Sequence, residues 1–137
     1  MNKSKGVIDS VSVVEAVIKN KDGKILLLKR SELNRFYVNK WQLPGGKVEF
    51  GEDIQKAIRR EIYEETGGKY NKLKLDKVFS LTEKFNGKKS NVFLMVFDGK
   101  FKGKIHLSKE HSEFKFFSLR SIKKLSLSPL SKKAILG

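Results

Sequence analysis

The stretch that decides the fold runs from Gly46 to Gly67 and reads GKVEFGEDIQKAIRREIYEETG. Asp53 is a good N-cap, and Gly67 followed by Gly68 is a good stop, so the pattern predicts a helix over 53–66. Between these ends Ile54, Ala57, Ile58 and Ile62 recur at helical spacing and define an inward stripe. At about 100° per residue, Glu61 and Glu65 project onto the same stripe and Glu64 falls on its edge. The apolar face therefore turns acidic in its last two turns, where it faces the body of the protein.

Such a patch opposes folding unless something offsets it. Like charges at i, i+4 cost a helix roughly 0.2–0.5 kcal/mol per pair. A helix C-terminus is also the unfavourable end for anions. On helical geometry Lys56, Arg59 and Arg60 project away from this face, which leaves the three carboxylates without a cation of their own. A hard divalent ion would account for the cluster, because Mg²⁺ takes carboxylate oxygens and shares its coordination with substrate phosphates. The alternative is a solvated acidic helix end.

Upstream, VSVVEAVI at 11–18 is expected to be a strand, Asn20-Lys21-Asp22-Gly23 a hairpin turn, and KILLLKR at 24–30 a second strand. Residues 31–40 form a loop. Trp41-Gln42-Leu43 is a short strand stopped by Pro44-Gly45-Gly46. Downstream, strands are expected near 77–83, over 91–98, near 101–107 and over 114–119. A turn-rich link with Asn86-Gly87 lies at 85–90, and short helices are expected near 120–124 and 128–135. This order gives an α+β or mixed α/β domain spanning residues 1–137, with 1–9 and 125–137 peripheral and the termini frayed.

With 137 residues the chain can bury a core. A composition 39% hydrophobic and 33% charged argues against extensive disorder. No apolar run is long enough for a membrane span, and MNKSKGVIDS has a basic start without the apolar region of a secretory signal. The absence of Cys excludes disulfides, thiolate metal sites and a Cys nucleophile, and makes a cytoplasmic protein the default. The net charge is +15, and 25 of the 30 basic residues are Lys, dispersed along the chain. That field attracts polyanions, nucleotides and RNA among them.

The spacing of Gly46, Glu52, Arg60, Glu61, Ile62, Glu64, Glu65 and Gly67 resembles the Nudix box, G-x5-E-x7-R-E-U-x-E-E-x-G-U, where U is a bulky aliphatic residue. The final U position is Gly68 here, a departure that bears on packing after the helix. Leu43-Pro44-Gly45-Gly46 and the upstream strand–hairpin–strand are also similar to Nudix proteins, so the resemblance covers residues 10 to 120. It implies a sandwich with a mixed sheet and a smaller sheet between helices. It also implies hydrolysis of nucleoside diphosphate derivatives with Mg²⁺ or Mn²⁺.

By that resemblance Glu61, Glu64, Glu65 and the Gly45 carbonyl are metal ligands, with Glu61 a ligand or the general base. Arg60 orients a box carboxylate through a bidentate pair, and Glu52 supports the loop–helix junction. Glu110, six residues before Phe116, is preferred over Glu113 as a further ligand or base. Arg30 and Lys47 are candidates for substrate phosphates, with Arg30 able to reach the base as well. Phe36, Tyr37 and Phe85 are candidates for stacking on a base. Each of these has a plainer reading as a solvated charge or as packing. His106 and His111 bracket Glu110, but their spacing fits no zinc helix, and Trp41 is assigned to the core.

The function expected is cleavage of a pyrophosphate bond, with a MutT-like conversion of a nucleoside triphosphate to monophosphate and pyrophosphate the favoured subclass. Dinucleoside polyphosphates and RNA 5′ ends are alternative substrates. The rival class is a catalytically inactive Nudix-fold module that senses nucleotides or binds RNA. The partner expected is a small nucleotide, with RNA less favoured, no membrane, and either a monomer or a homodimer.

Overall fold

The computed structural model describes residues 9–85 and 87–137. The N-terminal residues 1–8 and Asn86 of the expected turn lie outside the described residues. In chain order the elements are β1 (Ser10–Lys19), β2 (Ile25–Arg30), β3 (Trp41–Gln42), β4 (Gly45–Lys47), α1 (Ile54–Thr66), β5 (Lys74–Phe85), β6 (Lys88–Lys100), β7 (His111–Phe117), α2 (Leu119–Ile122) and α3 (Pro129–Leu136).

Strand β1 organises the sheet. It runs parallel to β6 from Ser10–Asn91 to Lys19–Lys100 and antiparallel to the short β4. Strand β5 closes one side of the sheet, antiparallel to β6, with a bulge between Leu75 and Lys77. On the other side, β2 pairs with β3 and β7 but meets β1 only at Lys19–Ile25. The β3–β2–β7 portion is thus the smaller part of a mixed α+β sandwich. The tight Asn20–Gly23 turn holds that pair: Asn20 Oδ1 accepts from Asp22 N and Lys24 N, and Gly23 takes φ 77°.

Because β1 is covered on both faces, its run is almost continuously apolar. Val11 and Val13 join Leu27, Leu94, Ile122 and Ala134 on the side of α2 and α3. Val14, Ala16 and Ile18 join Ile58, Ile62 and Phe97 on the side of α1. Fully burying such side chains stabilises by about 1.5–3 kcal/mol each, which holds α1 rigidly against β1.

Several sequence expectations are corrected. The strand expected over Trp41–Leu43 ends at Gln42, before Pro44, and Gly45–Lys47 forms a strand of its own on β1. The expected link at 85–90 is instead the tip of a long hairpin, in which β5 reaches Phe85 and β6 starts at Lys88. Residues 101–107 form no strand. Phe101, Ile105 and Leu107 use irregular backbone to cover the core beside α1. The segment 125–137 is not peripheral, because Ser131 and Ala134 on α3 are buried. The Gly68 departure also has a structural counterpart. A Cβ at Gly68 would lie 2.9 Å from the Tyr70 ring, so the missing side chain makes room for Tyr70 to enter the core.

Candidate active site

Helix α1 begins as its sequence dictates. Asp53 Oδ1 accepts from Lys56 N at 2.9 Å, and Gly67 closes the helix in the left-handed conformation at φ 76°. Ala57, Ile58 and Ile62 anchor its inner face, and Glu65 continues that face into the protein with only 4% of its surface exposed. Glu65 Oε1 accepts from Gly45 N at 2.9 Å, which ties the helix end to β4.

The two glycines of β4 are set by this close approach. A Cβ at Gly45 would run into the Val14 carbonyl, and one at Gly46 would lie about 2.5 Å from the Glu61 carboxylate. A larger residue at Gly46 would push the Glu61 carboxylate away from the strand, and one at Gly45 would push β4 off β1.

Arg60 overturns the expectation that no cation serves the acidic face. Its Nε and Nη2 donate to Glu52 Oε2 and Oε1 at 2.7 and 3.0 Å, a two-pronged pair. Its Nη1 donates to Glu61 Oε2 and Glu64 Oε1, both at 3.1 Å, and Nη2 also donates to the Lys47 carbonyl. Helical projection places Arg60 off the stripe correctly, but its long side chain folds back over the patch. The bidentate bond with Arg60, followed by the Glu49 N–H, holds the Glu52 carboxyl down to about 2.

The other two inner carboxylates move the opposite way. Burial raises Glu61 to about 7, with Arg60 opposing and Glu64 and Glu110 adding repulsion. Burial also raises Glu65 well above the carboxylate range, followed by the Glu61 charge, while Glu110 and Glu15 contribute further. Glu110 therefore lies within electrostatic reach of both helix carboxylates, whereas Glu113 is exposed on β7 opposite Lys29. Among the described residues no three carboxylate or imidazole groups form a ready-made metal cage. The positive charge inside the patch is that of Arg60. The donor set nevertheless suits a hard cation: carboxylate oxygens crowd one helix face, and burial and repulsion make their charge costly without a counterion.

Beyond Gly45 and Gly46 opens a cavity of about 130 Å³. Arg30, Phe36 and Phe85 line it together with Tyr37, so four of the sequence candidates meet in one place. Lys47 does not line it; its side chain is exposed, and it reaches the site through its carbonyl.

Sequence reasoning missed Glu15 and Gln42, which line the same cavity. Glu15 is 6% exposed, and both of its oxygens lie 3.1 Å from Ser131 Oγ on α3. Ser131 Oγ in turn accepts from Leu43 N. Burial raises Glu15 to about 8, against the lowering effect of that hydroxyl. The signal was present as a single acid in an otherwise apolar run, VSVVEAVI, in a strand buried on both faces.

A sequence profile described as the NUDIX domain matches residues 10–136. The chain belongs to the Nudix family. The Nudix chain is 35% identical over 121 residues to an ADP-ribose pyrophosphatase of Methanocaldococcus jannaschii, covering 82% of this chain and 64% of that protein. It is 45% identical over 56 residues to the nucleoside triphosphatase NudI of Escherichia coli, covering 41% of this chain and 39% of that protein. The chain thus spans less than two thirds of the length of these relatives. The crystal structure of a MutT protein from Methanosarcina mazei superposes with a TM-score of 0.78 at 31% identity, covering 94% of this chain and 92% of that one. No helix among the described residues is long and apolar enough to cross a membrane.

Proposed function

We propose that this Nudix protein is a divalent-metal-dependent pyrophosphohydrolase that converts a nucleoside triphosphate and water to the monophosphate and pyrophosphate. The observation that carries the reading is the adjacency of two unlike environments across Gly45 and Gly46. On one side Glu61 and Glu65 are held together at raised pKa. On the other side lies a cavity walled by Phe36, Phe85 and Arg30. A nucleotide has the same polarity, with a flat, partly apolar base at one end and a polyanion at the other.

Glu61, Glu64, Glu65 and the Gly45 carbonyl would hold Mg²⁺ or Mn²⁺, with Glu110 completing the set. The ion would neutralise phosphate charge and make bound water nucleophilic. Arg60 keeps Glu61 and Glu64 aligned while Glu52 anchors Arg60 from behind. Where Glu64, Glu65 and Glu110 hold the ion without it, Glu61 is instead the group that accepts the proton of the attacking water. Phe36 and Phe85 offer faces to the base, and Arg30 offers N–H donors to the phosphates. A cytoplasmic setting, where nucleoside triphosphates and Mg²⁺ are plentiful, fits this chemistry.

The similarity to an ADP-ribose pyrophosphatase supports a second reading, in which the diphosphate joins two nucleoside or sugar moieties. A nucleotide panel with and without Mg²⁺, read by ³¹P NMR, decides between them. The favoured reading expects pyrophosphate and a monophosphate from a triphosphate. The second expects two monophosphates from ADP-ribose. No Mg²⁺-dependent product from any nucleotide would overturn both and favour a binding module.

A further inference from the structure

A buried polar chain crosses the small part of the sheet behind the cavity. Arg30 ends β2, Gln42 lies on β3 and His111 opens β7 on the opposite side of β2. Arg30 Nη1 donates to Gln42 Oε1 at 3.0 Å, and Arg30 Nε donates to the Phe36 carbonyl at 2.9 Å. Gln42 Nε2 lies 2.9 Å from His111 Nε2. Gln42 is 9% exposed and His111 5%.

The donor inventory fixes every orientation in the chain. Arginine only donates, so the Gln42 oxygen must face Arg30. The Gln42 amide nitrogen therefore faces His111 and donates, so His111 Nε2 must accept and the imidazole proton sits on Nδ1. Nδ1 is the only buried side-chain nitrogen or oxygen without a partner among the described residues. A buried orphan donor costs free energy, so the arrangement keeps Gln42 oriented at the expense of His111. The main chain reinforces it. Ser31 N donates to the Glu110 carbonyl and Ser31 Oγ to the Lys109 carbonyl, which tie the His111 segment to the end of β2.

Arg30 spends two N–H groups on Gln42 and Phe36. Three of its five N–H donors remain, and it makes no ion pair among the described residues. It lines the cavity and feels the charges of Glu110 and Glu65, which places it at the border between the cavity and the acidic patch. That border is where the phosphates of a nucleotide would lie.

We infer that Gln42, braced by His111, is a positioning residue that fixes the free edge of the Arg30 guanidinium toward a phosphate oxygen of the nucleotide. The inference rests on the hydrolase reading above. Gln42 does not touch the reacting atoms; it acts on substrate binding through Arg30 and through the Phe36 loop that Arg30 holds.

The test compares Gln42→Leu, Gln42→Glu, Arg30→Ala and the double variant Arg30→Ala/Gln42→Leu on the triphosphate that the wild type turns over fastest. Gln42→Leu is expected to raise KM about tenfold with kcat within about twofold, the size of a hydrogen bond to a charged group. Gln42→Glu keeps an acceptor for Arg30 and is expected to keep KM near wild type. The double variant is expected to be no worse than Arg30→Ala alone. An unchanged KM in Gln42→Leu, equal loss of kcat and thermal stability in both Gln42 variants, or multiplying effects in the double variant would overturn the inference. Should Gln42→Leu not fold, Gln42→Met makes the same comparison. A second readout does not depend on turnover: the Arg30 Nη1–H signal in low-temperature ¹H–¹⁵N spectra should be protected in wild type and Gln42→Glu, and lost to exchange in Gln42→Leu, while Nε–H keeps its bond to the Phe36 carbonyl. A wild type that turns over no nucleotide overturns the hydrolase reading, and the NMR comparison still decides whether Gln42 fixes Arg30. A signal equally protected in all three proteins would overturn the relay.

Discussion

Two buried carboxylates flank the same glycine and live in opposite surroundings. Glu65 reaches Gly45 from the helix and accepts its N–H, while Glu15 is its register partner on β1. Glu65 feels the charges of Glu61 and Glu110, and more weakly that of Glu15 itself, while Arg60 bridges Glu61 to Glu64. Around Glu15 the polar partner is the Ser131 hydroxyl. Burial raises the pKa of both, but the remedies differ. The helix side carries excess negative charge that an added cation would relieve. The α3 side carries one carboxyl that a proton relieves. Burial of an acid therefore does not by itself identify a ligand; the company it keeps does.

The largest test of this contrast is substitution on the two sides of Gly45. Glu65→Gln, or the pair Glu64→Gln and Glu65→Gln, is expected to lower Mg²⁺-dependent turnover by about 10²–10³-fold, as when charge stabilisation at a reacting centre is removed. The fold should persist, because a glutamine oxygen can still accept from Gly45 N. Glu15→Gln should keep turnover within a few-fold of wild type. Equal losses on both sides, measured at saturating Mg²⁺, would erase the distinction.

A smaller effect is expected at Arg60. Lysine cannot reproduce the two-pronged bond to Glu52 while reaching Glu61 and Glu64. Arg60→Lys should lower turnover about 10–100-fold with net charge unchanged, the scale of lost outer-sphere support. Activity equal to wild type would make Arg60 a surface charge.

The smallest effect is in stability. Glu61 and Glu15 are raised from 4.5 to about 7 and about 8, so the folded protein keeps protons that the unfolded chain releases. The stability they contribute is complete below about pH 4.5 and is lost as pH rises through 7 and 8. His111 runs the other way, since burial and then Arg30 lower it from 6.5 to about 4, and its contribution is complete above 6.5. From pH 6.5 to 8, then, the carboxyls set the trend. The Tm of metal-free protein should fall by several degrees across that window, the shift that about 2 kcal/mol produces. Mg²⁺ should remove the Glu61 share and leave that of Glu15, and Glu15→Gln should do the reverse. A Tm that rises with pH in EDTA would contradict the assignment.

What the sequence discloses follows chain distance. Helix α1 with its cap, stop, inner stripe and carboxylates is legible because its partners lie within a few turns of one another. The β1 and β2 strands are legible from apolar runs and the Asn20 turn. Arg60 is legible as a partner of a box carboxylate only through family resemblance, and not of Glu52 in particular, because angular projection ignores how far a long side chain can fold back. Glu15 and Ser131 are 116 residues apart, and Gln42 and His111 are 69 apart. Neither pair has a local pattern, since tertiary packing alone brings its members together. The expected strand at 101–107 fails because an alternation of apolar residues such as Phe101, Ile105 and Leu107 can cover a core without pairing to any strand.

Strand β5, twelve residues long, carries its outer edge at the end of the sheet. Unpaired edges of that length are templates for stacking copies of a chain into aggregates. Here the edge bears Lys74, Lys77 and Lys84 and is bent by the bulge between Leu75 and Lys77. The strand also carries Asp76 and Glu83, so what two copies approaching edge to edge would meet first is the mismatch of the bulged backbones. The net positive charge of the chain would add a longer-range repulsion between copies, which concentrated salt, by shortening the reach of those charges, would weaken.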